Sequence, residues 1–358
     1  ALSLAFGTTR TGEASIVRPV FTTGGFKDNM KKIAIIGFGG AGYSAAKEAR
    51  QRDEEAEIHV YSDTDLGPYN PMLTTYYVKG TIPYDALFPF GSLEEVQKEL
   101  KLIVHPHTPV TGLDPAAKTV RLSDGSEAQY DAILISTGAS AVKPQLEGIE
   151  LPGVFTMRTV EDAVQLKEAL ASGKVRAGLV FGASWSGIKV VEEFVEAGVD
   201  CTLMNRSRQA FSKALFPQTA ERVQADLEKK GVHLAFGRTI DHIEPSEDGR
   251  LVAVANTGER YTADLIAVTS GVRPNLAFLK GTDIAVGKGV AVNEHMESNY
   301  PGIYAAGDCC DAFETQSRTV KNLALWLNSM QQGRVAGNCM TGGDARFGAN
   351  VSLSLAHY

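Results

Sequence analysis

The sequence has no apolar run close to the ~18–20 residues that a bilayer-spanning helix needs, so no membrane span is expected. Cysteine is scarce, with four residues (Cys201, Cys309, Cys310 and Cys339) in a chain of 358. So few thiols make no disulfide framework, and a reducing cytoplasm is the expected compartment. Against a formal net charge of −7 no run of lysine and arginine stands out. Nucleic acid is therefore not an expected partner, because phosphate binding needs a clustered basic face. His105 and His107 are read on one strand face with no further ligands around them, so no metal site is expected. Residues 1–29 lack the pattern of a secretory leader, since their apolar pieces are short and broken by Gly7, Arg10 and Glu13. They are left as an unassigned arm.

What remains is the composition of a globular protein, 44% hydrophobic and 22% charged, long enough for two domains with separate cores. Short β-branched runs alternate with longer helical ones, which predicts an α/β fold. A strand over 32–36, a glycine turn, a helix over 43–52 and a strand over 57–61 form the first unit. The same order returns as a strand over 177–181, a glycine turn, a helix over 188–197 and a strand over 200–204. The two turns begin at Gly37 and Gly182, 145 residues apart. Such a spacing marks duplication of a whole domain rather than a solenoid period. Near the end, Val351, Leu353 and Leu355 alternate with serines as in a strand.

The turns carry the chemistry. In Gly37-Phe38-Gly39-Gly40-Ala41-Gly42, the first glycine permits the tight turn and Gly39 lets the backbone approach a pyrophosphate. Gly42 lets helix and strand pack closely. The helix start then offers unpaired N–H groups and a positive dipole end to the phosphates. Asp63 falls where the second strand should present an acid to the ribose hydroxyls. In the second turn, from Gly182 to Gly187, Ser184 takes the middle position. Asn205 stands where the acid would be, followed by Arg206 and Arg208, which favours NADPH over NADH. Three further segments complete the pattern. A strand from Ala132 runs into Ser136-Thr137-Gly138, and another from Leu265 runs into Thr269-Ser270-Gly271. The third, 302–308, ends in Gly307-Asp308 and is read as preceding a helical stretch.

In this order the elements resemble the flavoprotein reductases with two dinucleotide-binding domains, which include rubredoxin, ferredoxin and putidaredoxin reductases, the FAD part of assimilatory nitrite reductase, NADH oxidases and coenzyme A disulfide reductases. The resemblance covers about 31–343. It implies two Rossmann-type, three-layer domains, one inserted in the other: an FAD domain over 30–148 and 275–341, and an NAD(P) domain over 149–274. It further implies that Gly37, Gly39, Gly42 and Asp63 hold the ADP half of FAD. Asp308 would bond the ribityl chain, with Val110, Thr137, Gly138, Gly307 and Trp326 also at the flavin. Gly182, Ser184, Gly187, Asn205, Arg206, Arg208 and Gly271 would receive NADPH or NADH.

Departures from the family pattern narrow the expectation. No cysteine precedes Cys201, so a thiol relay beside the flavin is not expected. Thr75 replaces a lysine of the cysteine-free relatives, and Lys189 replaces a glutamate on the facing helix. This pair is the candidate catalytic pair, with Lys189 keeping one cation near the flavin. The usual C-terminal interface domain is expected to be absent or truncated, with 342–358 as its stub. The implied activity is electron transfer from NAD(P)H through FAD to an acceptor, best a small redox protein or a partner subunit within a homo- or hetero-oligomer. The alternatives are an oxidase, a quinone or small-molecule reductase, and an FAD-binding or redox-sensing subunit with little turnover of its own.

Overall fold

The computed structural model describes residues 30–212 and 214–352. The arm over 1–29 and the strand expected over 353–355 lie outside the described residues, and Val351 itself is not in a strand.

The first unit opens with β1 (Lys32–Ile36), α1 (Gly40–Arg52) and β2 (Glu57–Tyr61). A short helix α2 (Thr74–Val78), β3 (Ile103–His105) and β4 (Ala132–Ile135) follow. Before returning, the chain builds a second sheet from β5 (Val154–Phe155), α3 (Val160–Ala171), β6 (Ala177–Phe181) and α4 (Trp185–Glu196). β7 (Asp200–Asn205), α5 (Pro217–Lys229), β8 (His233–Phe236) and β9 (Leu265–Val268) complete it. β10 (Ile303–Ala305) then rejoins the first sheet, and α6 (Trp326–Met340) closes the fold.

Both sheets have five parallel strands, in the orders β10-β4-β1-β2-β3 and β8-β7-β6-β9-β5. In each, the strand before the glycine turn lies at the centre, where both faces are covered; hence Ile33, Ile35, Ile133 and Leu134 are fully buried. Each sheet also carries an antiparallel three-stranded meander, over 110–129 in the first and 240–263 in the second.

Both helices after the glycine turns begin earlier than the pattern predicts, at Gly40 and Trp185. The helix expected after Asp308 is instead a hairpin, Cys310–Glu314 paired with Thr319–Lys321, and the helix waits until Trp326. The reason is the buried carboxylate of Glu314, which accepts from the Ser317 backbone N–H at 2.8 Å and from the Gln316 N–H at 3.1 Å, organising the turn. The reading of His105 and His107 also needs correcting. His107 lies beyond the end of β3, in the left-handed region with φ +50°. His105 stacks on Tyr61 and meets His59 Nδ1 at 2.9 Å. Cys339 likewise has partners that the sequence did not reveal, Ala345 O at 3.3 Å and His295 Nδ1 at 3.8 Å.

Two contacts between distant segments position the site. α6 lies against α1 at backbone distance: a Cβ on Gly333 would stand 2.1 Å from Ala41 O, and one on Gly337 2.3 Å from Ala45 O. That approach lays the Trp326 ring over Gly40. The second contact is α2, which follows the first unit in sequence, yet its Val78 packs into the core of the second with Ile188 and Phe194. Lys167 fixes it further, donating to Tyr77 O at 2.7 Å with its ammonium 3.9 Å from the Tyr77 ring centroid.

Candidate functional site

The first glycine turn is held by a hydroxyl. Ser136, at the end of β4, donates to Gly37 O at 2.8 Å and to Ile36 O at 3.1 Å. Gly37 has φ +94°, and a Cβ there would sit 2.4 Å from Ser136 O. Glycine is therefore required twice over, by conformation and by space. The second turn repeats this atom for atom: Thr269, after β9, donates to Gly182 O at 2.9 Å and to Phe181 O at 3.2 Å. Gly42 and Gly187 are equivalent too, since a Cβ on either would strike the carbonyl of its own first glycine. The sequence duplication extends to these hydroxyl clamps, which the motif alone does not reveal.

In front of the first turn lies a cleft of about 430 Å³, a size typical of small-molecule sites. Gly37, Gly39, Asp63, Thr137, Gly138, Gly307, Asp308 and Trp326 line it together. Gly39 caps α1 without a side-chain bond, so the helix start is open. A Cβ built on Gly39 would meet no protein atom within 4 Å and would occupy the cleft itself. This is a cradle kept clear for something that approaches the backbone. Gly42 serves instead to pack α1 on the sheet. Val110 starts the meander over 110–129 and is not on the cleft wall.

Sequence reasoning missed several residues of this wall. Arg158, just before α3, places Nη2 2.6 Å from Asp308 Oδ2, and Ser329 Oγ lies 3.2 Å from Asp308 Oδ1. Asn275 joins the two chain crossings, accepting from Ser140 Oγ at 2.8 Å and donating to Thr137 O at 3.0 Å. Tyr69 is also on the wall, its phenol pushed up to about 12, chiefly by burial. Arg158 had one sequence signal: the capping box of Thr159 and Asp162 follows it directly.

At the second turn, Ser184 caps α4 without a side-chain bond, again leaving the helix start open. Trp185 beside it packs on Phe211, with ring centroids 4.5 Å apart. Asn205 is held inside the loop that follows β7, bonded to Ala183, Ser207 and Gln209. Arg206 and Arg208 are exposed and make no ion pair among the described residues. Gly271 has φ +108° and begins the crossing back to the first sheet.

Thr75 and Lys189 do come together, but on another cavity of about 490 Å³. Ile188, Val191 and Val195 form part of its apolar lining, beside Lys79, Glu192, Glu193 and Glu196. Lys189 Nζ is 2.7 Å from Glu192 Oε2. All four cysteines are buried and none is on the cleft wall. Burial raises the thiols of Cys201, Cys309, Cys310 and Cys339 above their ordinary range. No helix among the described residues is long and apolar enough to cross a membrane.

The profile of the pyridine nucleotide-disulphide oxidoreductases matches residues 31–333. The chain belongs to that family. An NADH oxidase of Methanocaldococcus jannaschii is 29% identical over 87% of this chain and 70% of its own length. The epsilon subunit of the NADH-dependent phenylglyoxylate dehydrogenase of Aromatoleum evansii is 28% identical over 91% of this chain and 77% of its own. Among solved structures, an engineered water-forming NADPH oxidase derived from the Lactobacillus brevis NADH oxidase superposes with a TM-score of 0.83 at 26% identity, covering 89% of this chain and 71% of that one. A persulfide reductase from A. fulgidus gives 0.83 at 27% identity and 89% of this chain, which spans only 60% of that chain's length.

This family member is thus a pyridine nucleotide-dependent flavoprotein oxidoreductase, and FAD and NAD(P)H are the cofactors of its class. The residues present fit them. The cleared cradle at Gly39, the open start of α1 and the carboxylates of Asp63 and Asp308 are the donors and acceptors that a dinucleotide with ribose and ribityl hydroxyls requires.

Proposed function

We propose that the chain takes electrons from NADPH and passes them, by way of FAD, to a partner protein, either a subunit of a larger complex or a small redox protein. When bound, FAD supplies a hydride acceptor for the nicotinamide and a store from which electrons leave toward the partner. Gly39 and the first N–H groups of α1 hold the pyrophosphate, and Asp63 accepts from the adenosine ribose. Asp308 accepts from the ribityl chain, and Trp326 closes the wall of the cleft. At the second turn the start of α4 takes the other pyrophosphate, while Arg206 and Arg208 face the 2′-phosphate.

The observation that carries this reading is the pairing of two equally clamped glycine turns, one followed by the acid Asp63, the other by neutral Asn205 and two exposed arginines that make no ion pair among the described residues. The engineered NADPH-bound oxidase supports the choice of nucleotide, because an aspartate there is replaced by alanine and the next two residues by arginine and serine. The order here is Asn205-Arg206-Ser207. For the acceptor, the cysteine-free cleft wall argues against a thiol relay, and the phenylglyoxylate dehydrogenase relative is by name a subunit. The M. jannaschii NADH oxidase favours one second reading, dioxygen as acceptor. Anaerobic mixing of the FAD-loaded protein with NADPH or NADH, followed by flavin absorbance, tests the first half. Admitting air and following dioxygen consumption tests the second. Rapid bleaching by NADPH with slow reoxidation in air is expected. No bleaching by either nucleotide would overturn the reading, and fast reoxidation would establish an oxidase.

A further inference from the structure

Asp308 is the most enclosed acid of the cleft for which a direct cationic partner is present. Its side chain is 14% exposed, that of Arg158 25%, and their atoms meet at 2.6 Å. The same guanidinium donates Nε to Ala139 O at 3.1 Å, on the strand that crosses between the two sheets. Its own backbone N–H is held by Asp162 Oδ2 at 2.8 Å, within the capping box of α3. Through its backbone N–H and its guanidinium, Arg158 thus ties the first helix of the second unit to a crossing strand and to the acid that follows β10.

The charges on the wall show why this matters. Asp63, Glu161, Asp162 and Asp308 are the acids, and Arg158 and Lys143 the cations. Lys143 is 39% exposed and lies 2.7 Å from Glu150, so it serves the rim. Any dinucleotide adds a diphosphate to this acidic surface. Resting on the FAD reading above, we propose that Arg158 is a positioning residue for FAD: it fixes the Asp308 carboxylate toward the ribityl chain and neutralises it, so that the cleft tolerates the diphosphate. Ser329 holds the other oxygen of Asp308 and completes the alignment.

The signature of this role is the sign of coupling between two substitutions. Arg158→Met leaves an enclosed carboxylate without its cation, and FAD affinity should fall by at least ~tenfold. Adding Asp308→Asn removes the stranded charge, so the double variant should bind FAD more tightly than Arg158→Met alone. Two independent contacts would give the opposite order, with the double variant weakest. Titration of apoprotein with FAD, read by flavin fluorescence, gives the affinities, and the melting midpoint of each apoprotein separates binding from folding. If Arg158→Met does not fold, Arg158→Gln carries the same comparison, and Arg158→Lys, which keeps the charge, should bind FAD more tightly than Arg158→Gln. A double variant weaker than its Arg158 parent, or Arg158 variants with unchanged affinity, overturns the proposal. Failure of the unaltered protein to bind FAD overturns the parent reading instead.

Discussion

The side-chain oxygen of Asn205 accepts a hydrogen bond from the backbone N–H of Ala183 at 3.2 Å, tying the end of β7 to the second glycine turn. Its amide nitrogen donates to Ser207 O and Gln209 O, each at 3.1 Å. Asn205 therefore does more than lack a negative charge: it shapes the loop that carries both arginines. Aspartate would keep the acceptor and lose both donations, setting an anion against two carbonyls at a cost of ~1–3 kcal/mol. Asn205→Asp is accordingly expected to weaken NADPH use without producing an efficient NADH enzyme, and to lower the melting midpoint. Steady-state kcat/KM for both nucleotides, with thermal melts, tests this. A stable variant that prefers NADH would show the loop to be indifferent to the amide.

Arg206 and Arg208 should act on NADPH alone. A charge-assisted bond contributes ~1.5–3 kcal/mol, so Arg206→Ala should lower kcat/KM for NADPH by about tenfold or more and leave NADH within about twofold. Arg208 also packs its stem near Gly237, so Arg208→Ala should cost some stability as well. Equal losses with both nucleotides would place the arginines away from the 2′-phosphate.

What the sequence made legible is local. The glycine turns, their strands and Asp63 lie within one βαβ stretch, where spacing alone sets geometry. Asp308 and Trp326 came from resemblance, and the structure places both on the same wall as Gly37. The unread residues lie far apart along the chain. Arg158 reaches Asp308 across 150 positions, and Ser136 reaches Gly37 across 99. Nothing in either segment announces its partner. Thr75 and Lys189 line one cavity, apart from the cleft at the first glycine turn, and the pattern could not show the glutamates around them. That depends on α2 docking into the second core through Val78.

Gly37 and Gly39 should fail in different ways. A side chain at Gly37 strikes Ser136 and requires φ +94°, so Gly37→Ala should destabilise the protein whether or not cofactor is present. A side chain at Gly39 meets no protein atom within 4 Å. Gly39→Val should therefore leave the apoprotein melting midpoint within a few degrees of normal while FAD no longer binds. Flavin content and apoprotein melts decide it; a Gly39→Val protein that retains FAD would remove the cradle from its assigned role.

Lys189 is held by Glu192 at 2.7 Å, and the other oxygen of Glu192 is buried without a hydrogen-bond partner. A cation already neutralised by a neighbouring anion projects little field. Lys189→Met should consequently lower stability by leaving Glu192 uncompensated, and Lys189→Met with Glu192→Gln should recover part of it. The flavin midpoint potential should move little. A spectroelectrochemical shift of tens of millivolts in Lys189→Met, absent from the double variant, would restore Lys189 to a direct role at the flavin.

Beside that pair, Glu193 gives the protein a pH dependence of definite sign. It is 4% exposed, and its carboxyl is pushed from 4.5 up to about 8, first by burial and then by Glu196 and Glu192, against the opposing pull of Lys79 and Lys189. In the folded protein it keeps its proton until about pH 8, whereas the unfolded chain releases it near 4.5. Between these values the folded state binds more protons than the unfolded one. The contribution of Glu193 is therefore full below about pH 4.5 and is lost as pH rises toward 8, at up to ~1.4 kcal/mol per pH unit. Asp248, Glu259 and Glu314 are pulled down to about 2 by their hydrogen-bond and ion partners, so their stabilisation is lost only in more acid solution. Among the histidines, His242 is raised by Asp241 and His105 lowered by burial, and their contributions affect wild type and variant alike. The difference between the two proteins isolates Glu193. Urea unfolding of wild type and Glu193→Gln from pH 5 to pH 8 should show wild type losing stability faster as pH rises, with the two curves parallel above about pH 8. Parallel curves across the whole range would mean that the carboxyl ionises normally and is reached by water.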